Sequence, residues 1–269
     1  MTLLPLGDYL EALRHTTPLI HCITNYVAMN STANLLLATG ASPAMLHAQE
    51  EVAEFTALSS GLSVNIGTVS APWAEAMLTA TATANQHAIP WVLDPVAVGA
   101  TTYRQQLCGQ LLAMSPTVIR GNPSEILALN GLKSQGRGVD STSTTEQAAE
   151  AAIALAKQQG CIVAMTGERD WVTDGRQHYQ IEGGHPLMPR VTTLGCALSA
   201  LVAGFVAANR DHPLAATTAA LACFAVAGEQ AGSVAQGPGS FQVALLDALY
   251  QLTADDLSAN ARVVAIDAI

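Results

Sequence analysis

Thr117-Val118-Ile119-Arg120-Gly121-Asn122-Pro123-Ser124-Glu125 changes structure within a few residues. Thr117–Ile119 is apolar and β-branched, reading as a buried strand, and Pro116 before it and Gly121 after it mark its ends. Asn122 is a good helix N-cap and Pro123 suits the first helical position. Glu125 falls at the third, where its carboxylate can reach back to the cap. A helix is expected to follow over about Ser124–Leu129. Arg120 and Glu125 therefore flank a strand-to-helix turn, and the same strand, turn and helix unit recurs along the chain.

Outward from this stretch, strands are expected at Leu19–Ile23, Ala44–Leu46, Leu62–Ile66, Trp91–Leu93 and Ile162–Met165. Helical stretches fill the gaps at about Ala28–Thr39, Glu50–Ser59, Pro72–Gln86, Thr102–Ala113 and Thr144–Gln159. Such alternation specifies βαβ units, hence an α/β fold with a mainly parallel central sheet covered by helices on both faces. Trp171–Thr173 and His178–Ile181 around Asp174-Gly175 read as a hairpin. After it the chain is helical to about Leu252, and the tail from Thr253 is either loose or part of a late element. No linker interrupts the pattern, so residues 1–269 are expected to form a single domain.

The 269 residues carry 11 Lys plus Arg against 21 Asp plus Glu, a formal charge of −10. That balance argues against nucleic acid or an anionic membrane surface as a partner. An anionic substrate must then be held locally, by helix-start amides, a few placed cations or Mg²⁺. Only 12% of residues are charged although 50% are hydrophobic, which suggests surface buried in an oligomer; an Ala-rich monomer remains the alternative. Five Cys with irregular spacing, and a first stretch, Met1 to Arg14, without a basic segment leading into an apolar core, predict reduced thiols in a cytoplasmic protein. Cys196–Ala208 and Leu214–Ala227 are the most apolar runs, each shorter than the roughly 20 residues that span a bilayer, and read as buried helices.

In open α/β sheets ligands sit outside the carboxyl ends of the strands. That rule singles out loops beginning near Thr24-Asn25, Met45, Gly67-Thr68, Asp94-Pro95, Arg120-Gly121-Asn122 and Thr166-Gly167-Glu168. Asp94 could orient a metal, accept a proton or merely cap a loop. Arg120 could bind phosphate or pair with a carboxylate. Glu125 could hold Mg²⁺ through water as well as cap its helix. Val191-Thr192-Thr193-Leu194-Gly195-Cys196 feeds a long apolar helix, whose first amides and dipole favour a phosphoryl group. Cys196 in that first turn is expected to have a lowered thiol pKa, or else to be a small buried hydrophobe. GxxxxGK[ST] and GxSxG are both missing, which excludes a P-loop and a hydrolase elbow.

Several ordered segments resemble the hydroxyethylthiazole kinases of the ribokinase-like group. They include Pro18-Leu19-Ile20-His21-Cys22-Ile23-Thr24-Asn25, Gly40-Ala41-Ser42-Pro43-Ala44-Met45, Asn65-Ile66-Gly67-Thr68 and Leu93-Asp94-Pro95-Val96-Ala97-Val98-Gly99-Ala100. Ile119-Arg120-Gly121-Asn122 with Ser124-Glu125, Gly136-Arg137-Gly138-Val139-Asp140, Thr166-Gly167-Glu168 and Gly237-Pro238-Gly239-Ser240-Phe241 continue the likeness. The resemblance implies a ribokinase-like fold, a homotrimer with substrate sites at subunit boundaries, and Mg²⁺-dependent transfer from ATP to 4-methyl-5-(2-hydroxyethyl)thiazole. By position it implies Met45, Asn25, Gly67 and Thr193 on the alcohol side. Arg120, Thr166 and Gly195 would serve ATP, Glu125 and Asp94 the metal, and Cys196 and Asp94 the chemistry.

The family usually has Gly-Thr-Gly-Cys where this chain has Thr193-Leu194-Gly195-Cys196. Thr193 replaces a Gly, which matters if the backbone there needs φ > 0 or close approach to an anion. Leu194 removes a hydroxyl. Two further readings follow: a kinase of another small heteroaromatic alcohol such as hydroxymethylpyrimidine, and a thiazole-binding homologue with impaired turnover.

Overall fold

The computed structural model describes residues 4–133 and 144–266; the Gly136–Asp140 segment lies outside them. In chain order the elements are α1 (Leu6–Thr16), β1 (Leu19–Ile23), α2 (Met29–Thr39), β2 (Ser42–Met45), α3 (Val52–Leu58), β3 (Gly61–Asn65), α4 (Ala71–Gln86), β4 (Trp91–Asp94), α5 (Thr102–Ala113), β5 (Val118–Gly121) and α6 (Pro123–Lys133). There follow α7 (Thr144–Gln159), β6 (Ile162–Met165), β7 (Asp170–Thr173), β8 (His178–Glu182), a 3₁₀ turn (Met188–Arg190), α8 (Leu194–Ala208), α9 (Pro213–Val234), α10 (Pro238–Gln251), α11 (Ala254–Asn260) and β9 (Arg262–Ile266).

The strands form one nine-stranded sheet in the order β2-β1-β3-β4-β5-β6-β7-β8-β9. From β2 through β6 all neighbours are parallel, and β7, β8 and β9 add antiparallel at one edge. Strand residues alternate between two apolar layers. Val92, Ile162 and Ala164 face a core completed by α1, α2, α8, α9 and α10. Leu93, Val163 and Met165 face the other, completed by α4 to α7. Both faces are dry, so the parallel strands read as continuous apolar runs rather than alternating ones. Each fully buried Leu, Ile or Val contributes roughly 1.5–3 kcal/mol.

Helix α1 went unanticipated, and the tail takes the second of its two expected forms. Leu6, Leu10 and Leu13 bury one stripe of α1. Arg14 then binds the carbonyls of Thr39 (3.1 Å), Leu252 (2.6 Å) and Leu249 (2.9 Å), joining α1 to the ends of α2 and α10. The tail is ordered as α11, opened by a Thr253–Asp256 capping box, and as β9, which pairs with β8. The second apolar run also extends further than its composition marked: α9 has 22 residues, long and apolar enough to cross a membrane, yet 78% of its most apolar stretch is buried among the other elements. It packs as a core helix.

Candidate active site

Strand order reverses between β1 and β3, which opens a crevice at their carboxyl ends, and the residues delivered there are largely polar. Asn25 follows β1, Asn65 ends β3 and Asp94 ends β4; all three are buried, Asp94 at 1% exposure. A continuous hydrogen-bonded chain joins them. Asn25 Nδ2 donates to Asn65 Oδ1 (2.9 Å) and to Cys196 Sγ (3.3 Å), and Asn65 Nδ2 donates to Asp94 Oδ2 (2.7 Å). Ser199 Oγ, one turn along α8 from Cys196, donates to the same Asp94 oxygen (2.7 Å).

Arg120 continues the chain toward β6. Its Nη1 lies 3.9 Å from Asp94 Oδ2 and its Nη2 donates to Thr166 Oγ1. Arg120 Nε is buried and has no hydrogen-bond partner among the described residues, a donor of the kind an anion satisfies. The guanidinium rests on Gly195, where an added Cβ would stand 2.7 Å from Nη1. Gly195 is therefore required by Arg120. Gly67 is required by Asn25 in the same way, since a Cβ there would meet Asn25 Nδ2 at 2.7 Å.

Thr193 precedes α8 with φ 71° and ψ −3°, the left-handed conformation, and no side chain caps the helix. Its hydroxyl bonds Ser31 Oγ at 2.5 Å instead. The first intrahelical bond there is Ala197 N–H to Thr193 O, so the amides of Leu194, Gly195 and Cys196 have no helical acceptor. Leu194 turns its side chain into the core and leaves these amides unobstructed. Beside them opens a cleft of about 620 Å³, lined among others by Arg120, Thr166, Gly167, His185, Leu194 and Gly195.

Two carboxyls and the thiol depart from their ordinary behaviour. Burial pushes Asp94 up to about 6, against the pull of Arg120, Ser199 and Asn65. Burial likewise raises Asp170, at the cleft edge, to about 6; its Oδ1 accepts the Gly167 amide (2.9 Å). The expectation of a lowered Cys196 thiol is overturned. Burial is the largest influence and raises it, Asp94 raises it further, and the amides of Asn25 and Asn65 with Arg120 offset only part. Cys196 is half-buried, whereas Cys22, Cys108, Cys161 and Cys223 are buried and free.

Glu125 forms the expected cap. Asn122 Oδ1 accepts the Glu125 amide (3.0 Å), and Glu125 Oε2 accepts the Asn122 amide (2.9 Å). Glu125 Oε1 also accepts the Ala97 amide (2.9 Å), tying the loop after β4 to α6. Both oxygens are thus engaged, while Asp94 keeps Oδ1 free of hydrogen bonds among the described residues. Among those residues no group of three or more His, Cys, Asp or Glu gathers. Two carboxylates near one cleft nonetheless suit Mg²⁺, which keeps several waters and relies on substrate phosphates.

Met45 ends β2, the edge strand beside β1, half-buried against the core. It shares this end of the sheet with Asn25 but stands outside the hydrogen-bonded chain. Asn65, Ser199 and Arg104 were not foreseen as site residues. Arg104 holds the loops after β3 and β4, donating to the carbonyls of Ile66 (2.6 Å), Val96 (2.8 Å) and Gly67. An aromatic group braces the outer loops, with Tyr26 and His47 ring centroids 4.5 and 4.3 Å from Trp73.

The model of the hydroxyethylthiazole kinase family matches residues 10–255. The chain belongs to the hydroxyethylthiazole kinase family. It is 54% identical over 260 residues to a hydroxyethylthiazole kinase of Rhizobium rhizogenes, covering 97% of each chain. A hydroxyethylthiazole kinase structure from Pyrococcus horikoshii superposes with a TM-score of 0.91 at 40% identity, covering 97% of this chain and 99% of that one. A ribokinase-like superfamily protein from Enterococcus faecalis, 12% identical, aligns with a TM-score of 0.64 over 93% of this chain and 94% of its own, a likeness of fold alone. The fold is ribokinase-like, as the sequence led us to expect.

Proposed function

We propose that this protein transfers the γ-phosphate of ATP to the primary alcohol of 4-methyl-5-(2-hydroxyethyl)thiazole, giving the thiazole monophosphate and ADP. The observation that carries this reading, in a chain of this family, is the uncapped start of α8 lying against Arg120 beside the cleft. Three unsatisfied amides and the positive helix end suit charge developing on a transferring phosphoryl group. Arg120 and Thr166, with Gly195 beneath them, serve the nucleotide phosphates. Asn25, Met45, Gly67 and Thr193 serve the alcohol.

Phosphoryl transfer passes through a loose transition state, so binding and electrostatics dominate and the hydroxyl proton can leave late. Asp94, ionised above about pH 6, and Cys196 are the two groups that can receive it. Glu125 and Asp94 would hold Mg²⁺, Glu125 through water because its oxygens already accept amides. The ion would neutralise phosphate charge. Exposed Tyr26 and Val27, 63% and 61% accessible beside Asn25, are the apolar surface a neighbouring subunit of a homotrimer would cover. Free, mostly buried thiols support a cytoplasmic location, and one continuous nine-stranded sheet supports a single domain.

One observation favours the second reading, thiazole binding with impaired turnover: Thr193 is β-branched in a left-handed conformation that glycine adopts without cost. ADP release decides between them. Mg²⁺-dependent ADP release with the thiazole alcohol, exceeding that with hydroxymethylpyrimidine, is the expected result. Thermal stabilisation by the thiazole without ADP release would establish the second reading, and joint Thr193→Gly and Leu194→Thr substitution should then restore turnover.

A further inference from the structure

The hydrogen bonds around Asn25 have only one consistent direction. Backbone N–H groups can only donate. Gly67 N–H donates to Asn65 Oδ1 (2.9 Å), so that atom is the oxygen, and the Asn65 NH₂ faces Asp94. Ala28 N–H donates to Asn25 Oδ1 (3.0 Å), which turns the Asn25 NH₂ toward Asn65 Oδ1 and Cys196 Sγ. Amide orientation, normally a matter of inference, is settled here by two main-chain donors. The Asn25 NH₂ has two hydrogens and two acceptors, so the Cys196 sulfur receives a hydrogen bond.

We propose that Asn65 is a positioning residue of this site: it clamps the Asn25 amide with its NH₂ on Cys196, and so holds that sulfur as a proton acceptor facing the substrate hydroxyl. The inference rests on the kinase reading above and assigns the proton. The alcohol oxygen bonds the γ-phosphorus, and the bond from that phosphorus to ADP breaks with its electron pair leaving on ADP. The alcohol proton passes to the Cys196 sulfur in the fraction of molecules that hold it as thiolate, a minor form because burial raises this thiol. Asn65 touches no reacting atom. A hydrogen bond to sulfur favours its charged form, in opposition to burial. Without Asn65, the Asn25 NH₂ loses one of its two acceptors, and only the Ala28 amide on Asn25 Oδ1 still restrains the group.

Alkylation by iodoacetamide reports on the thiolate without any need for turnover, and Cys196 is the only cysteine among the five that is not buried. The expected result, at one fixed pH in the full chain without substrates, is that Asn65→Leu slows Cys196 alkylation by about tenfold, the worth of one hydrogen bond to a charged group. Asn65→Asp keeps an oxygen toward Asn25 and Gly67 and, by sharing one proton with Asp94 in place of the lost amide donor, should stay within about threefold of wild type. In the kinase assay Asn65→Leu should lower kcat with KM for ATP little changed, and Asn65→Asp should recover part of the loss. Should Asn65→Leu fail to fold, Asn65→Ser replaces it with the same expectation. A folded Asn65→Leu or Asn65→Ser variant alkylated at the wild-type rate overturns the proposal. A wild-type protein without ADP release would refute the kinase reading, while the alkylation rates would still decide the role of Asn65.

Discussion

Replacing Asp94 by Asn should make the protein more stable and less active at once. Asp94 is 1% exposed, and burial raises its pKa from 3.8 to about 6 even with Arg120, Ser199 and Asn65 pulling the other way. The folded state therefore holds the proton more tightly than the unfolded chain. Ionising Asp94 costs stability: nothing below about pH 4, a growing amount as pH rises, and about 3 kcal/mol above about pH 6. Asn carries no charge at any pH, and its oxygen can still accept from Asn65 and Ser199. Asp94→Asn should thus gain up to about 3 kcal/mol at neutral pH, with the advantage fading as pH falls from about 6 to about 4. Urea unfolding of the metal-free protein at fixed protein concentration would show it as a midpoint rise of about 1 M near neutrality. Kinase activity should also fall sharply, since the carboxylate proposed to hold Mg²⁺ is lost. A midpoint at or below wild type near neutral pH, or a gain that does not change with pH, would refute the reasoning.

Gly195→Ala places a methyl 2.7 Å from Arg120 Nη1, and Arg120 is tethered to Thr166 and Asp94; KM for ATP should rise by tenfold or more, about 1.4 kcal/mol, with thermal stability little changed, as steady-state kinetics and a melting curve would show. At Thr193 the usual helical order of Ala over Gly should reverse. Thr193→Ala loses the Ser31 bond and keeps the left-handed backbone, for a loss of about 1 kcal/mol, whereas Thr193→Gly regains most of it by relieving strain, and denaturant midpoints would rank them. Glu125→Ala should cost about 1–2 kcal/mol through the lost cap, and Glu125→Gln much less. Both should raise the Mg²⁺ concentration for half-maximal ADP release; an unchanged Mg²⁺ titration in Glu125→Gln would leave Glu125 as a cap alone.

Asp94, Arg120 and Thr166 were legible because each directly follows an apolar run, where strand periodicity leaves only one end of the sheet for a polar group. Thr193 was legible through contrast: a β-branched residue where the family has Gly, found at φ 71°. Asn65 and Ser199 escaped notice because apolar runs enclose them, and a polar residue inside such a run was the signal available. The Cys196 thiol was misjudged because a helix start argues for a lower pKa, and burial beside Asp94 outweighs it. Leu6, Leu10 and Leu13 show helical spacing that went unread, so α1 was missed. The strand β9 lies at an edge with exposed Arg262 and half-exposed alternates, so its pattern alone does not separate it from a loop.

The late arrival of β9 has a consequence for how the chain assembles. Strands β1 to β6 can each dock on a neighbour already made nearby in sequence, but Glu182 of β8 pairs with Arg262, across the whole of α8 to α11. Until those helices have folded, β8 presents an open row of amides and carbonyls beside the cleft. Closing that edge is a high-contact-order event, slow by nature and exposed to misassociation. The wall of the cleft is therefore the part of the molecule expected to mature last, and the Arg262–Glu229 ion pair, formed only on docking of β9, marks its completion.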